Sequence, residues 1–126
     1  MAKAPRIGRV LIADDERDIV ELVRIVLERA GYEVVTAREG DRALELAREH
    51  PPAICILDGA MPGLAGFEVL ARLRAEGATA EVPVLMLTAT VDEEREIRRH
   101  GVEPDGFMRK PFDNASLLSE VARLIG

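Results

Sequence analysis

The sequence predicts an α/β fold: a doubly wound parallel sheet of five strands with five helices on its two faces. Three observations carry the prediction. Short apolar runs alternate along the chain with segments whose apolar residues recur at three- and four-residue spacing. The runs are apolar throughout, as in strands covered on both faces, which argues for parallel pairing. Glycine, proline or aspartate marks most junctions between the two kinds of segment. Crossovers are right-handed by default, but the pattern does not fix the strand order.

Val10–Ala13 is the first strand, and Ile19, Leu22, Val23, Val26, Leu27 and Ala30 mark an amphipathic helix that Gly31 ends. Tyr32–Thr36 is the second strand. Gly40 breaks the chain before a helix carrying Ala43, Leu44, Leu46 and Ala47, which Pro51-Pro52 stop. Ala53–Leu57 is the third strand, MPGLAG a loop, and Phe67, Leu70 and Leu73 one face of a third helix ending near Gly77. Val82–Leu87 is the fourth strand. The segment from Val91 to His100 is a weak helix, with Val91 and Ile97 as its only large apolar residues. Gly106–Arg109 is a short fifth strand, and Asp113 is an N-cap for a last helix bearing Leu117, Leu118, Val121, Leu124 and Ile125.

With 126 residues and no linker, repeat or low-complexity stretch, the chain is expected to be a single domain, 1–126, with a core over about 9–125. The longest apolar runs are too short to span a bilayer, so no membrane insertion is expected. The first residues, MAKAPRIG, lack the apolar core of a signal peptide, which predicts a cytoplasmic protein. Cys55, the single cysteine, sits inside a strand and reads as a buried, inert thiol. Net charge is −6 with no basic stripe, which argues against direct nucleic-acid binding.

Polar residues fall where the strands end: Asp14 and Asp15 after the first, Asp58 after the third, Thr88 after the fourth and Lys110 after the fifth. In a parallel sheet all carboxyl ends lie on one edge, where ligands bind. Asp is used sparingly, eight times against fifteen Glu, yet three of the eight belong to this set. Carboxylates ~5 Å apart repel by about 3 kcal/mol per pair at an effective dielectric near 20. A divalent cation removes that repulsion, and oxygen donors suit Mg²⁺, or Mn²⁺ in its place. Only two lysines stand against fifteen arginines, so Lys110 inside the fold asks for a specific role. A compact, flexible ammonium can follow a phosphoryl oxygen better than a rigid guanidinium. With the Thr88 hydroxyl, these parts suit phosphoryl transfer onto Asp58 as an acyl phosphate.

The set resembles the receiver domain of two-component response regulators. ADDE is similar to its acidic pair, ILDGAMPGLAG to its acceptor loop, VLMLTA to its threonine segment and FMRKPF to its lysine segment, in order across Arg9 to Ile125. The resemblance implies a flavodoxin-like sheet of order 2-1-3-4-5 and a cis Lys110–Pro111 bond. It makes Asp58 the phospho-acceptor, Asp15 a direct Mg²⁺ ligand, Asp14 a ligand through water, and the Ala60 backbone carbonyl a further ligand. Thr88 and Lys110 would hold the phosphoryl group, and Phe107 would be an aromatic switch beside Thr88. The implied phosphodonor is a sensor histidine kinase or phosphotransfer protein. The implied output is a downstream protein or a homodimer, through the face of the fourth helix, fifth strand and last helix. The domain would assist its own phosphorylation and dephosphorylation without being an enzyme in the ordinary sense.

Two departures from the family pattern stand out. Ala65 occupies a position where an acid is common, and VEPDG lengthens the run between Gly101 and Phe107. Plainer readings stay open for single residues: Asp14-Asp15 as a helix N-cap, Asp58 as a turn residue, Phe107 as core. His50 and His100 read as helix-end residues, and Arg95, Arg98 and Arg99 as a solvated face. Two other functions remain in view. One is a phosphorylation-independent interaction module. The other, a hydrolase turning over an aspartyl phosphate, would want a second Asp where Ala60 stands. The chain closes one residue after the last helix, which fits either a stand-alone receiver or the receiver portion of a longer protein.

Overall fold

A computed structural model describes residues 8–125; Lys3, the rest of the N-terminal stretch read for a leader, and Gly126 lie outside them. Strands and helices alternate: β1 (Arg9–Ala13), α1 (Arg17–Arg29), β2 (Glu33–Ala37), α2 (Gly40–Glu49), β3 (Ile54–Asp58), α3 (Gly66–Ala75), β4 (Val84–Thr88), α4 (Val91–Arg99), β5 (Gly106–Arg109) and α5 (Asn114–Ile125). The strands pair in parallel in the order β2-β1-β3-β4-β5, the flavodoxin-like arrangement that the resemblance implied. The Lys110–Pro111 bond is cis.

Alternation along the central strands divides the core into two layers. Val10, Ile12, Ile54, Ile56, Leu85 and Leu87 pack with Val20, Val23 and Leu27 of α1 and Leu117 and Val121 of α5. Leu11, Ala13, Cys55, Leu57, Val84 and Met86 pack with α2, α3 and Ile97 of α4. The cover on both faces expected for all strands holds for β1, β3 and β4. The edge strands β2 and β5 are mostly half-buried, because each has one neighbour and an open side. Burial pushes the Cys55 thiol up to about 12, which leaves it protonated and inert.

The helix ends follow local chemistry. Gly31 adopts φ 102 just past α1, where its N–H donates to the Glu28 carbonyl at 3.0 Å. Asp113 caps α5 as expected, its Oδ1 accepting from the Ser116 N–H at 2.7 Å. Glu68 supplies at α3 what Ala65 lacks, its Oε1 accepting from the Ala65 N–H at 2.9 Å. Three sequence expectations are corrected. Leu22 is exposed, so the buried stripe of α1 is Val20, Val23 and Leu27. Val91 is also exposed, which leaves Ile97 as the one buried residue of the nine-residue α4. Strand β4 begins at Val84 rather than Val82, because the Val82 N–H is held in a turn by the Thr79 carbonyl at 3.1 Å. No helix among the described residues is long and apolar enough to cross a membrane.

Candidate functional site

Strand register builds the site. Ala13 of β1 pairs with Leu57 of β3, so the following residues, Asp14 and Asp58, lie side by side at the carboxyl edge. The ladder continues past the strand ends: the Asp14 N–H donates to the Ala37 carbonyl at 3.2 Å, and the Gly59 N–H to the Leu87 carbonyl at 2.8 Å. On the far side the Lys110 N–H donates to the Thr88 carbonyl at 2.8 Å, which turns Lys110 toward the aspartates. Gly66, at the start of α3, closes the loop after Asp58. A Cβ there would lie 2.4 Å from the Asp58 carbonyl oxygen, so only glycine lets the helix approach β3 this closely.

Asp14, Asp15 and Asp58 each offer a carboxylate oxygen, and these oxygens lie within 4.8 Å of one another. Asp14 is fully buried, Asp58 is 5% exposed, and Asp15 faces solvent. The Lys110 ammonium lies 2.9 Å from Asp14 Oδ2, 3.4 Å from Asp58 Oδ1 and 3.5 Å from Glu16 Oε1. Asp14 Oδ1 accepts from the Glu16 N–H at 2.9 Å, and Asp58 Oδ1 from the Ala60 N–H at 3.3 Å. Ala60 is thus beside the acceptor carboxylate.

Burial, and then the neighbouring Asp14 carboxylate, raise the Asp58 pKa from 3.8 to about 7, with Lys110 opposing them. For Lys110, burial is the largest influence and pulls its pKa down. The bond to Asp14 and the charges of Asp58, Asp14 and Glu16 together outweigh it, and the ammonium ends above its ordinary value. One positive charge among four carboxylates leaves the pocket strongly negative. Hard oxygen donors at this spacing, under-neutralised and open to water at Asp15, fit a divalent cation of the Mg²⁺ type.

The raised Asp58 pKa makes a stability prediction. Below 3.8 the carboxyl is neutral in the folded and unfolded chain alike. From there to about 7 the unfolded chain releases the proton while the folded chain keeps it, so stability falls as pH rises, and above about 7 the full penalty stands. In metal-free urea melts at pH 8, Asp58→Asn is therefore expected to be more stable than the native sequence, on the order of 2 kcal/mol, with the gain fading as pH falls toward 4. An equal gain at both pH values would contradict this cause.

The remaining site candidates lie close by with other partners. Thr88, at the tip of β4, is fully buried, and its hydroxyl donates to Glu94 Oε2 at 3.4 Å. Phe107 packs half-buried against the α2–α3–α4 layer, with the Arg98 guanidinium 4.8 Å over its ring. Arg95, Arg98 and Arg99 are all exposed, as expected of a solvated face; Arg95 and Arg99 pair there with Asp92 and Glu96, and Arg98 also covers the Phe107 ring. His50 and His100 cap the C-termini of α2 and α4, and His100 stacks on Phe67.

Sequence reasoning missed Glu16 as a third anionic neighbour of Lys110, and Glu94 and Arg109 as the surroundings of Thr88. Glu16 was visible in the acidic run. Glu94 meets Thr88 only because a turn and one helical turn bring it back to the tip of β4.

The family of the response regulator receiver domain matches residues 10–122. The chain is 40% identical over 117 residues to the DNA-binding dual master transcriptional regulator RpaA of Synechocystis, an alignment that covers 93% of this chain and 48% of that protein. It spans about half the length of the curated relatives it matches. Among solved structures, the chemotaxis protein CheY4 of Vibrio cholerae superposes with a TM-score of 0.86 at 34% identity, covering 93% of this chain and 98% of that one. The receiver domain of the sensor histidine kinase PA1611 from Pseudomonas aeruginosa, with a magnesium ion coordinated in its active-site cleft, superposes with a TM-score of 0.88 at 25% identity, covering 94% and 98%.

Proposed function

The chain belongs to the response regulator receiver domain family, and from that premise we propose that this domain is a phosphorylation switch working in the cytoplasm. Asp58 accepts a phosphoryl group from a phosphohistidine presented by a sensor histidine kinase or a phosphotransfer protein. Asp14, Asp15 and Asp58, with the Ala60 carbonyl, hold a divalent cation, Mg²⁺ or in its place Mn²⁺. When bound, the cation neutralises the carboxylates and the charge on the transferring phosphoryl oxygens. The magnesium in the related PA1611 receiver domain supports that choice of metal.

The chain's own residues supply the rest. An Asp58 carboxylate oxygen attacks phosphorus in line with the departing imidazole nitrogen; the P–O bond forms as the P–N bond breaks, and the imidazole keeps the electron pair. The Lys110 ammonium, already 3.4 Å from Asp58 Oδ1, moves onto a phosphoryl oxygen. The Thr88 hydroxyl donates to another. Hydrolysis of the acyl phosphate at the same site resets the switch.

The new group carries close to two negative charges. Hydrogen bonds to a charged group contribute about 1.5–3 kcal/mol each. Moving a switch from mostly off to mostly on takes about 5.5 kcal/mol; the gross contributions of Thr88 and Lys110 are of that order, and the bonds they give up to Glu94 and the aspartates subtract from it. Drawing Thr88 inward opens space for Phe107 and changes the surface of α4, β5 and α5. That surface controls a downstream protein or a homodimer.

The observation that carries the reading is one ammonium bridging the fully buried Asp14 and the acceptor Asp58, with Asp15 closing the acidic cluster. Intact-mass measurement tests it. Acetyl phosphate with Mg²⁺ is expected to add about 80 Da, one phosphoryl group, and a chelator is expected to prevent the gain. No gain with Mg²⁺ would contradict the proposal.

A further inference from the structure

We infer that Glu94 is a positioning residue that holds the Thr88 hydroxyl away from the acceptor site, so that a phosphoryl group on Asp58 must win Thr88 from Glu94. The inference rests on the phosphorylation reading above and adds to it a residue that sets how readily the switch turns. Thr88 is fully buried, and its hydroxyl donates to Glu94 Oε2 at 3.4 Å. Arg109 Nη2 donates to that same oxygen at 3.0 Å.

A hydroxyl has a single proton to give. It cannot serve Glu94 and a phosphoryl oxygen together, so the two acceptors compete. The competition is reversible because of Arg109. When Thr88 leaves, the Glu94 carboxylate keeps its guanidinium partner, and no charged group is stranded without a hydrogen bond. The chain carries this device on α4, a short helix with Ile97 as its one buried residue. The same helix also sets Arg98 over Phe107, so α4 contacts both residues that the switch displaces.

The test uses fluoroberyllate with Mg²⁺ as a non-hydrolysable phosphoryl mimic, binding to the full chain and followed by fluorine NMR. Removal of the competing acceptor by Glu94→Ala is expected to tighten binding about fivefold to tenfold, the size of one ordinary net hydrogen bond and less than a full charge-assisted one, because the Thr88–Glu94 contact is long at 3.4 Å. Glu94→Gln keeps the side-chain shape and a weaker, neutral acceptor, so its gain is expected in the same direction and smaller. In a Thr88→Val background, Glu94→Ala is expected to change affinity less than about twofold, since no hydroxyl remains to be released.

If the native sequence binds the mimic and both Glu94 variants bind it no more tightly, the positioning role is overturned while the acceptor reading stands. If Glu94→Ala tightens binding equally without the Thr88 hydroxyl, the effect comes from a loosened α4, and the role is again overturned. If the native sequence fails to bind the mimic at all, the phosphorylation reading itself falls and the role falls with it.

Discussion

Asp58→Asn is expected to abolish the mass gain from acetyl phosphate and Mg²⁺. The amide lacks the negative oxygen that attacks phosphorus, and a neutral carboxamide forms no acyl phosphate. The neighbouring acids do not replace it. Asp14 is fully buried and ion-paired to Lys110 at 2.9 Å, so its carboxylate is closed to an incoming donor. Asp15 is exposed, but among the described residues Lys110 pairs with Asp14, Glu16 and Asp58 and not with it. A phosphoryl group at Asp15 would lack that ammonium. The same variant separates the switch from a constitutive module: a partner that binds the Asn protein and the phosphorylated protein equally would mark a phosphorylation-independent interaction. A gain of about 80 Da that survives the substitution would remove Asp58 from its assigned role.

Lys110→Met has the largest expected effect on stability. The ammonium is the positive charge the structure sets among Asp14, Asp58 and Glu16. Methionine preserves much of the apolar stem and removes the charge. Stripping one partner from a buried ion pair destabilises by about 3–5 kcal/mol, because the other charge stays buried without compensation. For a domain of this size that is a fall of roughly 10 °C or more in Tm.

The pH dependence identifies the cause. Without the ammonium the Asp58 pKa rises beyond its already elevated position near 7. The loss is then greatest above neutrality and shrinks on acidification, as Asp58 takes up its proton and its repulsion with Asp14 disappears. Added Mg²⁺ is expected to restore part of the loss, as a cation held by the folded site and not by the unfolded chain would. Thermal melts at pH 5 and pH 8, with and without Mg²⁺, check both effects. An equal loss at the two pH values, insensitive to Mg²⁺, would assign Lys110 a packing role instead.

The site was readable in the sequence because a parallel sheet turns chain order into spatial order. Asp14, Asp58 and Lys110 lie far apart in the chain, but each follows a strand, and the carboxyl ends of parallel strands share an edge. Strand order was not readable from the pattern. Pairing β1 with both β2 and β3 is a choice between distant segments of similar apolar character, and only the resemblance supplied it. Leu22 was misplaced for a related reason: several phases of an apolar-rich helix satisfy the spacing rule, and packing against β1 and α5 selects Val20, Val23 and Leu27.

The surroundings of Thr88 were hidden for another reason. Glu94 and Arg109 look like ordinary surface charges in the sequence, in a chain where a third of the residues are charged. Their meeting at 3.0 Å depends on where the short α4 lies against β5. Arg98 is the same case, a helix-surface cation whose seat over Phe107 is set by tertiary geometry.

The central claim is that carboxylates from the tips of β1 and β3 form one divalent-cation site. A titration of the isotopically labelled protein with Mn²⁺, read by paramagnetic broadening of backbone amide signals, tests it most directly. The expected result is a single saturable site, with broadening centred on Asp14, Asp15, Asp58 and Ala60, reversed by excess Mg²⁺ and lost in Asp58→Asn. Broadening spread over the acidic surface, or centred away from these strand tips, would contradict it.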